Sequence, residues 1–181
     1  LGRKVETQGG KAVNPPIVRT STVLFDSMDA LLDGTGRWAE KNFLQYGRKG
    51  TPTHFALEEA LTGLEGGHGA VILPSGLGAI AVALLSLTQA GDHILVADTV
   101  YAPTRAFCGN VLARYGVETT YYDPAIGAGI AALIRENTKL VFVESPGSLT
   151  FEVQDIPAIA GAARKRGVPV IADNTWATPL F

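Results

Sequence analysis

Short apolar runs alternate with stretches of helix formers from residue 53 onward, and this alternation constrains the fold more than any other feature. Residues 53–64 read as an amphipathic helix. Phe55, Leu57, Ala60, Leu61 and Leu64 supply its apolar side, Glu58 and Glu59 its wet side, and Gly66-Gly67 its stop. Residues 71–73 read as a strand ending at Pro74, and residues 77–87 as a helix rich in Ala and Leu. Further strands are expected at 94–97, 117–121, 140–143 and 168–172. Helices are expected at 104–115, 130–135 and 156–166. Ile94 to Ala97 is apolar throughout, the pattern of a strand covered on both faces. Helix and strand in regular alternation require crossover connections. The expected fold is therefore α/β, with a mainly parallel sheet flanked by helices.

The first 50 residues lack this rhythm. Asn14-Pro15-Pro16 forbids a helix there. Residues 17–25 read as extended, and 27–32 as a short helix capped by Ser27 or Asp26. Trp38, Phe43, Tyr46, Arg48 and Lys49 follow in a segment broken by glycines. Residues 1–50 are read as an arm that packs on a neighbouring subunit, which would make the protein a homo-oligomer; folding back on its own domain is the alternative. Residues 51–181 are read as the first part of a larger α/β domain.

Composition removes several function classes. Fifteen basic and 17 acidic residues give a net charge of -2 with no basic run, so nucleic acid is not an expected partner. The longest apolar stretch, residues 79–87, is too short to span a membrane. Cys108 has no second cysteine to pair with, which favours a reducing compartment and a cytoplasmic location. His54, His68 and His93 have no metal-ligand spacing with one another or with Cys108, so no metal is expected. Ser75 lacks the Gly-x-Ser-x-Gly setting of a hydrolase nucleophile.

In a parallel sheet, ligands bind beyond the carboxyl ends of the strands. The polar residues fall there in turn: Ser75, then Asp98 and Tyr101, then Glu144 and Ser148, then Asp173, Asn174 and Thr175. Ser75 and Gly76 open a helix whose first N–H groups lack intrahelical partners, and Gly76 and Gly78 admit an anion close to the backbone. The run is neither a Walker loop nor a dinucleotide fingerprint. Asp173 leaves a buried strand and needs a positive partner, either a protonated ring nitrogen or a basic side chain, unless it caps the next segment. Tyr101 suits stacking on an aromatic ring or packing in a core or interface. Tyr46 and Arg48 suit a phosphate clamp, Arg48 also a surface ion pair.

Six motifs stand in order along the chain: Tyr46-Gly-Arg48-Lys-Gly-Thr-Pro-Thr-His54, Ser75-Gly-Leu-Gly-Ala79, Asp98-Thr-Val-Tyr101-x-Pro-Thr-Arg105, Tyr122-Asp-Pro124, Glu144-Ser-Pro146 and Ala172-Asp-Asn-Thr175. Together they resemble the pyridoxal-phosphate-dependent enzymes of cysteine and methionine metabolism, from about Asn14 to the end. The resemblance implies an aspartate-aminotransferase-like fold, fold type I of these enzymes, with pyridoxal 5'-phosphate as cofactor. It implies that the backbone N–H groups of Gly76 and Leu77 bind the cofactor phosphate. Tyr46 and Arg48 would reach that phosphate from the neighbouring subunit, in a homotetramer built as a dimer of dimers. Tyr101 would stack on the pyridine ring and help handle the substrate amine, and Asp173 would pair with the ring nitrogen. Phe107-Cys108, the Gly-Ser-Leu-Thr at 147–150 and Asn174-Thr-Trp176 resemble the members that break a carbon–sulfur bond by β-elimination. Those members convert L-cystathionine to homocysteine, pyruvate and ammonia. Members acting at the γ-carbon are the alternative. Ser148 stands where several relatives carry an asparagine near the cofactor. The family's Schiff-base lysine follows the Asp-Asn-Thr motif, and no lysine follows Asp173 here. The sequence is accordingly expected to be one portion of a longer polypeptide. A non-catalytic cofactor-binding module is the reading of another class.

Overall fold

The computed structural model describes residues 5–7, 10–37, 40 and 42–180, with the backbone alone for 5–7 and 10–12. Trp38 of the expected arm lies outside the described residues. The chain divides into two compact units, Leu1–Ile72 and Leu73–Phe181. The division falls after Ile72, later than the boundary at 50/51 suggested by the loss of rhythm.

In the first unit, β1 (Val5–Thr7) and β2 (Gly10–Ala12) form an antiparallel pair. α1 (Met28–Gly36) starts at Ser27, whose hydroxyl accepts the Ala30 N–H at 3.1 Å. α2 (Pro52–Glu65) places Pro52 in its first turn, where a missing N–H costs nothing. Thr51 at its cap donates its N–H to His54 Nδ1 at 3.1 Å, so this histidine serves the helix start. Gly66 ends the helix at φ 61°, in the left-handed region that glycine favours. Residues 16–18 are tied to α2 by Thr53, whose hydroxyl donates to the Pro16 carbonyl and accepts the Val18 N–H. The extended stretch after Pro16 thus has a fixed neighbour within its own unit.

The second unit is a four-stranded parallel sheet in the order β4-β3-β5-β6. Its strands are β3 (His93–Ala97), β4 (Glu118–Tyr122), β5 (Thr138–Glu144) and β6 (Val170–Asp173). α3 (Gly76–Leu87) precedes β3, and α5 (Ile156–Lys165) joins β5 to β6. Alternate residues of β3 enter different cores. Ile94 and Val96 pack with Leu84 of α3, Cys108, Leu112 and Phe142. Leu95 and Ala97 pack with Tyr122, Val141, Val143 and Ile159 of α5. The continuous apolar run in the sequence is this double burial, worth about 1.5–3 kcal/mol for each large aliphatic side chain. Burial raises the Cys108 thiol to about 11, against weaker pulls from Thr119 and Arg105.

Three expected elements differ. Residues 71–73 form no strand: the run is three residues long, Pro74 has no N–H, and Val71 is 80% exposed. The helix expected at 104–115 becomes α4 (Ala102–Ala106), a π-turn Phe107–Val111 and a 3-10 turn Leu112–Tyr115. Gly109 sits in the middle of that run and weakens α-geometry there. The helix at 130–135 is instead a 3-10 helix Gly127–Ala132, opened by two weak helix formers, Gly127 and Gly129.

His93 lies at the start of β3, away from the strand ends that carry the candidate residues. It is buried between two hydroxyls, Thr138 at 2.8 Å from Nδ1 and Thr120 at 2.9 Å from Nε2. Burial and the nearby Arg135 lower its affinity for a proton below the ordinary value of 6.5, against a smaller pull from Glu118. The unfolded chain therefore binds the additional proton more readily. The stability His93 contributes is present above pH 6.5 and is lost as pH falls below it. Denaturant midpoints measured from about pH 7 down to about pH 5 should fall, and His93→Gln should flatten that slope. An equally steep slope in the variant would assign the effect to other groups.

Candidate functional site

The carboxyl ends of β5 and β6 meet the start of α3 in a cleft of ≈ 260 Å³. Gly76, Ala79, Ile80 and Ala83 of α3 form one wall. Phe142, Ile171 and Ala172 form the floor, with Asp173, Asn174 and Thr175 at the rim. Most of the lining is apolar, and its polar chemistry comes from the Gly76 backbone and from Asp173, Asn174 and Thr175.

At the α3 end, the Ser75 hydroxyl accepts the Gly78 N–H at 3.0 Å, and its carbonyl accepts the Ala79 N–H at 3.0 Å. These bonds begin the helix and leave the amides of Gly76 and Leu77 unused by it. The helix dipole adds positive character there. A Cβ on Gly76 would meet nothing within 4 Å, so a ligand has room to approach this backbone. A Cβ on Gly78 would stand 2.9 Å from Ser75 Oγ and displace the cap.

At the other end, Asp173 Oδ1 accepts the Thr175 N–H at 3.1 Å and the Thr175 hydroxyl at 2.6 Å. Oδ2 has no partner among the described residues. Asp173 is in register with Glu144 on β5. Glu144 is 5% exposed and accepts the Tyr101 N–H on Oε2 at 2.8 Å. Burial pushes the Glu144 carboxyl above the ordinary carboxylate value, the Tyr101 N–H pulls it back, and the Asp173 charge adds to the rise. Among the described residues no cation is paired with either carboxylate. The Asp173 carboxylate, with no cation paired to it among the described residues, makes this part of the cleft a receptor for a positive group.

Gly76 and Asp173 therefore line one cleft. Leu77 adds its amide without lining it. Tyr101, 45% exposed, lies beyond the lining and is linked to it through Glu144. Asp98 is committed elsewhere: it pairs with Arg105, whose guanidinium also covers the Tyr121 ring at 3.9 Å. The Ser148 N–H donates to the Thr99 carbonyl at 2.8 Å, tying the loop after β5 to the turn before Tyr101. Beyond Asp173, Trp176 meets Phe151 edge to face at 5.4 Å. Sequence reasoning missed Gln154, which is buried and bridges Tyr122 and Glu144: its Oε1 accepts the Tyr122 hydroxyl at 3.1 Å and its Nε2 donates to the Glu144 carbonyl at 2.7 Å. A glutamine in a polar stretch gave no signal of this.

Tyr46 and Arg48 belong to the first unit. They stand together: the Arg48 guanidinium is 5.7 Å from the Tyr46 ring centre, and the Tyr46 hydroxyl accepts from Ser21 at 3.1 Å. Gly47 between them approaches Thr20 so closely that a Cβ would lie 1.8 Å from its carbonyl oxygen. This close approach requires glycine. Among the described residues no group of three His, Cys, Asp or Glu side chains is placed to hold a metal ion.

Comparison with known proteins adds identity to this geometry. The model of the family described as "Cys/Met metabolism PLP-dependent enzyme" matches residues 2–181. A putative cystathionine beta-lyase of Saccharomyces cerevisiae is 51% identical over 181 residues, 100% of this chain and 51% of that protein. The cystathionine beta-lyase MetC of Escherichia coli is 47% identical over 173 residues, 94% of this chain and 43% of that protein. The solved structure of cystathionine gamma-lyase from Lactobacillus plantarum, complexed with L-serine, superposes with a TM-score of 0.82 at 31% identity, over 98% of this chain and 43% of that one. The chain spans about half the length of the curated relatives it matches. With the family model matched along nearly its whole length and a parallel α/β sheet, the chain belongs to the family of PLP-dependent enzymes of Cys/Met metabolism.

Proposed function

We propose that the full-length protein is a carbon–sulfur lyase that cleaves L-cystathionine at Cβ, giving homocysteine, pyruvate and ammonia, and that this chain supplies most of its cofactor cradle. The observation that carries the reading is the cleft itself. It offers amides that α3 leaves unused, an Asp173 oxygen with no partner among the described residues and a mostly apolar lining. Pyridoxal 5'-phosphate matches that donor set with an anionic phosphate, a protonatable ring nitrogen and a flat apolar ring. The Gly76 and Leu77 amides would hold the phosphate, and Asp173 Oδ2 would keep a proton on the ring nitrogen. Tyr101 would lie against the ring and steer the substrate amine. Tyr46 and Arg48 would reach the phosphate from a neighbouring subunit in a homotetramer, with residues 1–50 as the arm that brings them there. The lysine and the carboxylate-binding arginine of the family are sought outside these 181 residues. A cytoplasmic location completes the proposal.

When bound, the cofactor supplies a sink for the electron pair left at Cα. This chain's share is to fix that sink in orientation and charge. Thr175 fixes Oδ1 of Asp173, so the carboxylate is held in place and Oδ2 would be left to face a protonated ring nitrogen. The beta-lyase names of the two curated relatives support cleavage at Cβ, whereas the name of the structural relative favours the γ-position. Product analysis with L-cystathionine separates them: pyruvate with homocysteine is the expected result, and 2-oxobutyrate with cysteine would replace the β reading by the γ one. Borohydride treatment with pyridoxal phosphate, read by intact mass, addresses the non-catalytic alternative. No covalent adduct on the full-length protein would leave binding alone.

A further inference from the structure

Tyr101 stands at the start of α4, a helix of five residues, and its side chain makes no cap bond. Its carbonyl accepts the Arg105 N–H at 3.1 Å, and its own N–H goes to Glu144. Glu144 is itself held from behind: its carbonyl takes the Gln154 Nε2–H, Gln154 takes the Tyr122 hydroxyl, and the Gln154 N–H reaches Ser145 Oγ at 2.9 Å. A buried carboxylate with no cation is tolerated where strong hydrogen bonds offset its lost water. The bond it makes here runs to a backbone amide on another strand's loop, 43 residues away.

We propose that Glu144 is a positioning residue: its side chain anchors the Tyr101 backbone to the end of β5, and so sets where the tyrosine ring stands relative to Asp173. The anchor is a rigid link, because Glu144 and Asp173 are register partners on adjacent strands. Tyr101, Glu144 and Asp173 then move as one body. The consequence for the ring rests on reading the cleft as a pyridoxal phosphate site; the anchor itself does not.

Two variants of similar size test this on the full-length protein. Glu144→Gln keeps an oxygen to accept the Tyr101 N–H, and Glu144→Met removes it. Amide hydrogen exchange should speed up roughly tenfold or more at Tyr101 in E144M and stay near wild type in E144Q. The amides of Leu95 and Val96 in the core of β3 should be unchanged in both. Unchanged exchange at Tyr101 in E144M would overturn the anchor. An equal rise at Leu95 and Val96 would also overturn it, by showing general loosening. Circular dichroism of added pyridoxal phosphate supplies the second readout: the visible band expected in wild type should persist in E144Q and weaken in E144M. A band of wild-type size in E144M would overturn the link to the ring. A wild type with no band would sink the cofactor reading while leaving the exchange result to decide the anchor.

Discussion

Asp173→Asn is expected to lower kcat/KM for L-cystathionine by about 10²–10³-fold in the full-length protein, while leaving the fold intact. Asparagine keeps an oxygen where Oδ1 accepts from Thr175, so the local turn survives. The substitution removes the negative charge opposite the proposed ring nitrogen. Without that charge the nitrogen loses its proton more readily, and the electron pair at Cα has a weaker sink. Folding stability should change little, because Oδ2 has no partner among the described residues and the neighbouring carboxylate is Glu144. Relief of like charge between the two even works slightly in favour of the variant. Steady-state rates and a melting curve decide the matter together. A variant with wild-type kcat/KM would remove Asp173 from the chemistry. A variant that loses activity only because it unfolds would make the residue structural.

Gly147→Ala should be a costly single methyl. The added Cβ would lie 2.7 Å from both Cβ and Oγ1 of Thr99 and 3.4 Å from a Glu152 carboxylate oxygen. Thr99 cannot swing its Cβ away, because that atom is fixed to the backbone. One of the two loops must shift, and overpacking of this kind costs about 1–3 kcal/mol. For a chain of this size that is a fall of roughly 2–12 °C in Tm. The displaced turn is the one that ends at Tyr101, so catalytic loss should accompany the thermal loss. Thr99→Gly in the same background removes the obstructing Cβ, and a double-mutant cycle should show strong positive coupling between the sites. Additive losses at 99 and 147 would show that the contact is not the cause.

The elements that sequence reasoning places well are those whose signal is local. The apolar stripe of α2, the Ser75 start of α3 and the unbroken Ile94–Ala97 run each carry their own instructions. The parallel sheet follows from their order, and Asp173, at the end of β6, lines one cleft with Gly76 at the start of α3. What escapes is non-local. Glu144 reads as a loop carboxylate until its bond to an amide 43 residues away is seen. Gly147 and Gln154 carry no local signal of the contacts they make. Residues 71–73 mislead for a related reason: three apolar side chains before a proline resemble a strand, but no neighbouring strand pairs with them.

The edge-to-face pair of Phe151 and Trp176 has a practical outcome. Trp176 is 63% exposed, three residues after Asp173, and the emission of its indole shifts when its surroundings change from water to ligand. The chain has two tryptophans, the other being Trp38, so a Trp38→Phe background leaves one emitter within this sequence beside the rim of the cleft. Its colour becomes an optical gauge of occupancy, readable without dye, substrate or turnover.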